Sequence, residues 1–270
     1  MKIDPHFSSL MKREPVTDGY DALVISDLHL GSSICLDKEI HNFLERIVQG
    51  ELKTNQLILN GDVFDSIDFR RLRKGHWKIL SLIRKLSDRI KITWVCGNHE
   101  GVAEPVSQIL GVEVQNEYAF QSGNRSVLVI HGHIFDDFIE TYPRITFIAD
   151  VLYRLLQIID SSHRIARYAK SNTKIFLRCV DKIRYGAKEH AKKLKHDIVC
   201  CGHTHQPESS VAGLLNDGTV EYHNSGSWTE NPCTFLSIRN GAVHLHSFTS
   251  HELSIPKDLP AIGAAEALLA

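Results

Sequence analysis

Short apolar runs alternate along this chain with longer stretches in which apolar residues recur every three or four positions. DALVIS (21–26), QLILN (56–60), KITWVC (91–96), SVLVI (126–130) and DIVCC (197–201) are short and continuously apolar, which predicts buried strands. LDKEIHNFLERIVQG (36–50) places Ile40, Phe43, Leu44 and Ile47 on one helical face. GHWKILSLIRKLSD (75–88) does the same with Ile79, Leu82, Ile83 and Leu86. Strand–helix alternation of this kind predicts an α/β layered fold. Beyond residue 210 the pattern turns to β. VAGLLNDGTVEYHNSG and PCTFLSIRNGAVHLHSF, with the pairs Asp217-Gly218 and Asn240-Gly241, predict antiparallel hairpins. The expectation is a sandwich of sheets with helices outside, one domain over 1–250, then a loose tail at 251–270 with a short helix at most.

One segment, about 138–196, breaks the rhythm: a long helical region without a strand, set between two strand-like runs. Ile145–Ile159 is apolar over most of its surface, as in a helix–helix core, an acyl-chain groove or a membrane-facing stretch. Arg164, Arg167, Lys170 and Lys174 then recur at helical spacing, with Arg178 and Lys182 after them. Residues 140–196 hold thirteen Lys/Arg against five Asp/Glu, a net of +8 in a chain whose total is −1. A stripe of this kind is either a solvated face or a clamp for anionic substrate groups.

Composition excludes several classes. At 270 residues and 43% hydrophobic content the chain buries a sizeable core, and a near-zero net charge gives no global nucleic-acid signature. No apolar run reaches the roughly 18 residues of a membrane span, and MKIDPHFSSLMKREP lacks the apolar core of a signal peptide. A cytoplasmic location is expected. The six cysteines form no C-x-x-C pair, and Cys96, Cys200 and Cys201 fall in strand-like runs, so buried reduced thiols are expected.

The chemistry gathers where the strands end. DALVIS is followed by Asp27 and His29, QLILN by Gly61-Asp62, KITWVC by Gly97-Asn98-His99-Glu100, SVLVI by His131-Gly132-His133, and DIVCC by Gly202-His203-Thr204-His205. Open α/β sheets carry their sites beyond the carboxyl ends of strands. In extended backbone His203 and His205 would point to one side, with Gly202 letting the chain turn. Carboxylate, amide and imidazole donors without thiolate suit Mn2+, Fe2+ or Zn2+. Seven donors, Asp27, His29, Asp62, Asn98, His131, His203 and His205, exceed what one structural zinc takes. They suit two ions roughly 3.5–4 Å apart sharing a carboxylate.

The series D-x-H, G-D, G-N-H-E, H-G-H and G-H-T-H, from 27 to 205, resembles the calcineurin-like binuclear metallophosphoesterases. That resemblance implies a four-layer αββα sandwich with a helical cap insertion. It implies one metal on Asp27, His29, Asp62 and His205, and a second on Asp62, Asn98, His131 and His203. His99 would protonate the leaving oxygen or stabilise the transition state, help worth typically 10²–10⁴-fold, and Glu100 would orient it. His133 reads as a neighbour of the metals rather than a ligand, and His223 as a strand residue near the same end. His41, His76, His190, His196, His244, His246 and His251 read as surface or packed histidines. A metal-free scaffold on this fold would lack some of these donors, and every position is filled.

ISDLHLG (25–31), GDVFD (61–65), NSGSWTE (224–230) and the insertion are similar to the UDP-2,3-diacylglucosamine pyrophosphatases and their paralogues. That branch implies manganese-dependent release of UMP and lipid X in lipid A biosynthesis, at the cytoplasmic face of the inner membrane. The expected partners are a small phosphorylated or nucleotide-lipid substrate and peripheral membrane contact through the cap, without nucleic acid. Arg164, Arg167, Lys170 and Lys174 are the candidate substrate clamp. The chain departs from the best-known hydrolase branch at His99, where that branch has Arg, and at His133, where it has Asp. A paralogous phosphodiesterase or phosphomonoesterase acting on nucleotides or other small phosphoesters is the alternative.

Overall fold

The computed structural model describes residues 18–99, 103–136, 174–209, 220–250 and 252–253. Its strands are β1 (Ala22–Ile25), β2 (Gln56–Asn60), β3 (Lys91–Val95), β4 (Glu113–Gln115), β5 (Glu117–Ser122), β6 (Arg125–Ile130), β7 (Ile198–Cys201), β8 (Glu208–Ser209), β9 (Glu221–Asn224), β10 (Cys233–Arg239), β11 (Ala242–Thr249) and β12 (Glu252–Leu253). Its α-helices are α1 (Asp37–Gln49), α2 (Lys74–Ser87), α3 (Ala103–Leu110) and α4 (Lys174–Lys193). The described strands form two sheets, ordered β12-β11-β10-β1-β2-β3-β4 and β5-β6-β7-β9-β8. β1, β2, β3 and β4 run parallel in the first sheet, as do β6, β7 and β9 in the second.

Alternation along the strands builds the layers. Ala22 and Val24 of β1 face Val127 and Val129 of β6 and Ile198 and Cys200 of β7 in the core between the sheets. Leu23 and Ile25 point the other way, into a larger core with Ile40, Phe43 and Leu44 of α1 and Ile79 and Ile83 of α2. On the far side, Leu128, Ile130, Val199 and Cys201 receive Ala187 and Ala191 of α4. The order is therefore helices, sheet, sheet, helix: the four-layer α/β sandwich.

Local chemistry sets the helix limits. α1 carries Asp37 and Glu39 in its first turn and Arg46 in its last, matching the helix dipole. It ends at left-handed Gly50, whose N–H bonds to the Arg46 and Ile47 carbonyls. At the start of α2 the buried His76 imidazole accepts from the Arg73 and Gly31 backbone N–H groups through Nδ1. That bond ties the helix to the loop that leaves β1.

The five strands expected from apolar runs are β1, β2, β3, β6 and β7, each within a residue or so of its forecast limits. The Asn240-Gly241 hairpin joins β10 and β11, with φ of 50° and 77° at its two central residues. Asp217-Gly218 lies outside the described residues. β9 departs from the antiparallel expectation, since its long partner β7 runs parallel to it and only the two-residue β8 runs antiparallel. α3, β4 and β5 gave no sequence signal, and Glu252–Leu253, expected in a loose tail, pairs with β11. The six cysteines are free thiols; Cys35, Cys200, Cys201 and Cys233 are buried, whereas Cys96 is only half-buried at the mouth of β3.

Candidate metal centre

Asp27, Asp62, His99, His131 and the pair His203/His205 leave the carboxyl ends of β1, β2, β3, β6 and β7, so strands of both sheets deliver their polar ends to one region. Three groups of potential ligand atoms form there, each with its members within 4.8 Å of one another: Asp27, His29 and His205; His29, Asp62 and His99; and Asp62, His131 and His203. Asp62 belongs to two of them. Its Oδ2 lies 3.4 Å from His131 Nε2 and 3.9 Å from His29 Nε2, and Asp27 Oδ1 lies 3.2 Å from His205 Nε2. Asn98 is exposed on the turn between Gly97 and His99.

The backbone here is unusual. Asp27, His29, Asp62, His203 and His205 all have left-handed φ, between 48° and 65°; the other described non-glycine residues of this kind are Lys195 and Asn240. Such conformations cost of order 1 kcal/mol or more each and gather at functional sites. They also correct the sequence reading of G-H-T-H. His203 and His205 are not on extended backbone; each turns individually, and they reach different carboxylates.

Gly202 itself does not have a positive φ. What it provides is room, since a Cβ there would stand 2.6 Å from Ser26 Oγ and 2.7 Å from Asp27 Oδ2. The same holds at Gly97, 2.2 Å from Asp62 Oδ1, and at Gly61, 2.2 Å from His131 Nδ1. Each of these strand-end glycines makes space for a ligand delivered by a neighbouring strand.

Hydrogen bonds then fix the carboxylates. Asp27 Oδ2 accepts from the His203 backbone N–H at 3.0 Å, and Asp62 Oδ1 from that of His99 at 3.1 Å. The NSGSW segment closes the structure beneath. The Asn224 side chain donates to the Gly202 carbonyl at 2.7 Å, Ser26 Oγ lies 2.7 Å from Ser225 Oγ, and the Trp228 backbone N–H donates to the Asp27 carbonyl at 3.1 Å. It therefore joins the end of β9 in one sheet to the end of β1 in the other.

Electrostatics mark the centre as a place for cations. Burial alone would raise the Asp62 carboxyl, but His131, His29 and His99 hold it well below the usual carboxylate range. Asp27 behaves likewise: burial is outweighed by His205 and His131, leaving it at about 2. Burial would lower His131, yet Asp62 and Asp27 lift it to about 9. Asp27 Oδ1 and His131 Nε2 are buried without a hydrogen-bond partner. Ionised carboxylates beside imidazole nitrogens, with those two atoms unsatisfied, form a donor set that fits a divalent ion, which would take the place of the proton on His131.

Two acidic residues absent from the predicted site touch its histidines. Asp65 places Oδ1 3.5 Å from His29 Nδ1, pairs with Arg71 at 2.6 Å, and offers its carbonyl to His99 Nδ1 at 3.0 Å. Asp136 places Oδ2 3.0 Å from His203 Nε2. Both stand three residues beyond a member of a recognised motif, in GDVFD and in HGHIFD, which is the signal by which they could have been found. His133 lies beside His131 and His203, with ring centroids 5.5 and 6.3 Å away; burial and the two neighbouring imidazoles lower it to about 4. His223 is buried on β9 against Ser209. Glu100, Arg164, Arg167 and Lys170 lie outside the described residues, as does the side chain of Lys174, which opens α4.

Several known proteins are similar to this chain. The DNA polymerase II small subunit of Thermoplasma acidophilum is 26% identical over 242 residues, which are 80% of this chain and 46% of that protein; the chain thus spans about half the length of this curated relative. Among solved structures, a novel archaeal phosphodiesterase is 13% identical, covering 84% of this chain and 98% of its own with a TM-score of 0.46. A predicted phosphoesterase of Streptococcus pneumoniae is 18% identical over 90% of this chain and 96% of its own, with a TM-score of 0.42. Zinc-complexed Vps29 of Entamoeba histolytica is 17% identical over 84% and 97%, with a TM-score of 0.38. The family model for calcineurin-like phosphoesterases matches residues 21–207, a span that contains every candidate ligand from Asp27 to His205, and the chain belongs to that family.

Proposed function

We propose that the chain is a binuclear, manganese-dependent phosphohydrolase that cleaves the pyrophosphate of a nucleotide-activated lipid of the UDP-2,3-diacylglucosamine kind, releasing UMP and lipid X. The observation that carries the hydrolase reading is the sharing of Asp62 between two Asp/His groups at one edge of the sandwich. Asp27, His29, Asp62 and His205 would hold one ion, and Asp62, Asn98, His131 and His203 the other, with Fe2+ and Zn2+ accepting the same donors. Bound there, divalent ions neutralise phosphoryl oxygens and lower the pKa of water.

The chain's own groups do the rest. The Asp65 carbonyl takes the Nδ1–H of His99 at 3.0 Å. His99 Nε2, 3.9 Å from Asp62 Oδ2, is then the nitrogen whose proton a departing oxygen can receive. The lipid side of the reading is supported by the apolar run Ile145–Ile159 and the basic series Arg164, Arg167, Lys170 and Lys174. Described residues flanking them are consistent with it: Ile134, next to His133, is 59% exposed, and Leu177 and Tyr185 on α4 are 49% and 69% exposed. Contact with a membrane would be peripheral in this reading; no described helix is long and apolar enough to cross one.

A second reading, a phosphodiesterase acting on nucleotides or a nucleic-acid strand, draws on the likeness to the DNA polymerase II small subunit over 80% of the chain. One experiment separates the two. Metal-stripped protein is reloaded with Mn2+ and given UDP-2,3-diacylglucosamine, bis-p-nitrophenyl phosphate or an end-labelled single-stranded oligodeoxynucleotide. Metal-dependent UMP release is expected. Cleavage of the oligonucleotide without UMP release would favour the second reading, and cleavage of neither biological substrate would overturn both.

A further inference from the structure

An imidazole that binds a metal uses one ring nitrogen and needs an acceptor for the N–H on the other. His131 shows how this chain meets that need, and His29 is oriented the same way. His131 turns Nε2 toward Asp62, at 3.4 Å, and sets Nδ1 2.8 Å from the Asn60 carbonyl. His29 turns Nε2 toward Asp27 and Asp62, at 4.0 and 3.9 Å, and has Asp65 Oδ1 behind Nδ1 at 3.5 Å, a charged neighbour rather than a hydrogen bond. His203 is the reverse. Its Nε2 lies 3.0 Å from Asp136 Oδ2; with that nitrogen engaged, Nδ1 is the one left to serve the group that His203 forms with Asp62 and His131.

Asp136 is itself held from the other side. It ends a short 3-10 turn, His133–Phe135, entered through left-handed Gly132, and its backbone N–H bonds to the His133 carbonyl at 3.0 Å. Its Oδ1 accepts from Cys179 Sγ on α4 at 3.2 Å. The turn is pressed against α4 where that helix has Gly186, since a Cβ there would meet the Phe135 ring at 2.7 Å. Only about 10% of the Asp136 side chain is exposed.

We propose that Asp136 is a positioning residue that locks His203 with Nε2 protonated and Nδ1 facing the metal, and that it couples this ligand to α4 through Cys179. The inference rests on the reading of His203 as a metal ligand. It predicts an asymmetric defect: weakening of the ion that His203 serves, with the other ion unaffected.

The test is equilibrium dialysis of Mn2+ with atomic spectroscopy on Asp136→Ala, Asp136→Asn and His203→Ala. Asp136→Ala should bind one ion as the wild type does and the other 10–100-fold more weakly, the usual effect of removing such a partner. Asp136→Asn, which keeps an acceptor without the charge, should recover part of the loss. Wild-type affinity at both ions in Asp136→Ala, or equal weakening of both, would overturn the proposal. If His203→Ala also keeps both ions, the assignment of His203 as a ligand has failed; if it loses one, only the role of Asp136 has. Nitrogen-15 spectra of the wild-type protein loaded with Zn2+ give a check that needs no variant. A protonated Nε2 and coordinated Nδ1 on His203 are expected, and the opposite pattern would overturn the proposal.

Discussion

Replacing Gly97 with alanine puts one methyl group into the centre of the site. The new Cβ would stand 2.2 Å from Asp62 Oδ1 and 2.5 Å from the Asp62 backbone nitrogen, where real contacts stop near 3.0 Å. Something must move by about 0.8 Å, and because the backbone is also hit, rotating the carboxylate does not suffice. Overpacking of this kind costs typically about 1–3 kcal/mol, which for a domain of this size lowers Tm by roughly 2–10 °C. The larger effect falls on Asp62, the residue common to two ligand groups. A misplacement near 1 Å can cost about 100-fold in rate. Gly50→Ala is the control: φ there is +80° with nothing within 4 Å of the added Cβ, so it imposes about 1–2 kcal/mol of backbone strain far from the site. Both variants are followed by thermal melts, Mn2+ content and hydrolysis of bis-p-nitrophenyl phosphate. Gly97→Ala should lose metal and about two orders of magnitude of activity, and Gly50→Ala should lose only stability. Wild-type metal content and activity in Gly97→Ala would refute the argument that strand-end glycines make room for the ligands.

Other outcomes follow from the same geometry. Asp62→Asn should abolish tight binding of both ions, whereas His205→Ala should weaken chiefly the ion shared with Asp27 and His29; metal counting on the two variants distinguishes a shared carboxylate from a peripheral one. His99→Gln should lower kcat about 10²–10⁴-fold with both ions retained, and loss of an ion would make His99 a ligand instead. Burial holds His223 down to about 4, against the opposing pull of Glu221 and with help from Arg125 and His244. A base with a depressed folded value is protonated first in the unfolded chain. Its contribution is thus complete above its free value of about 6.5 and lost as pH falls toward 4. Up to about 3 kcal/mol is at stake, and urea unfolding of wild type and His223→Asn at pH 7 and pH 4.5 should show a smaller pH effect in the variant.

Much of this arrangement was legible in the sequence because burial on both faces leaves a plain mark. β1, β2, β3, β6 and β7 are covered on each side, so their sequences are runs of Val, Ile and Leu, and the polar residues after them announce the strand ends. β5 left no such mark, since Glu117, Ala119 and Gln121 face solvent. The ligands could be seen as residue types, but not their backbone. Nothing in D-L-H or G-H-T-H indicates that Asp27, His29, His203 and His205 adopt left-handed φ. Gly97 and Gly202 looked like turn residues, and their crowding against Asp62, Ser26 and Asp27 depends on two strands meeting, which no local pattern records. Asp65 and Asp136 act through contacts with histidines from other strands, 36 residues back in the chain for Asp65 with His29 and 67 residues on for Asp136 with His203.

The most direct test of the two-metal site is anomalous diffraction at the manganese edge from crystals grown with Mn2+. Two peaks roughly 3.5–4 Å apart, both in contact with the Asp62 carboxylate and flanked by His29 with His205 and by His131 with His203, are predicted. A single peak, or two that do not share Asp62, would contradict it.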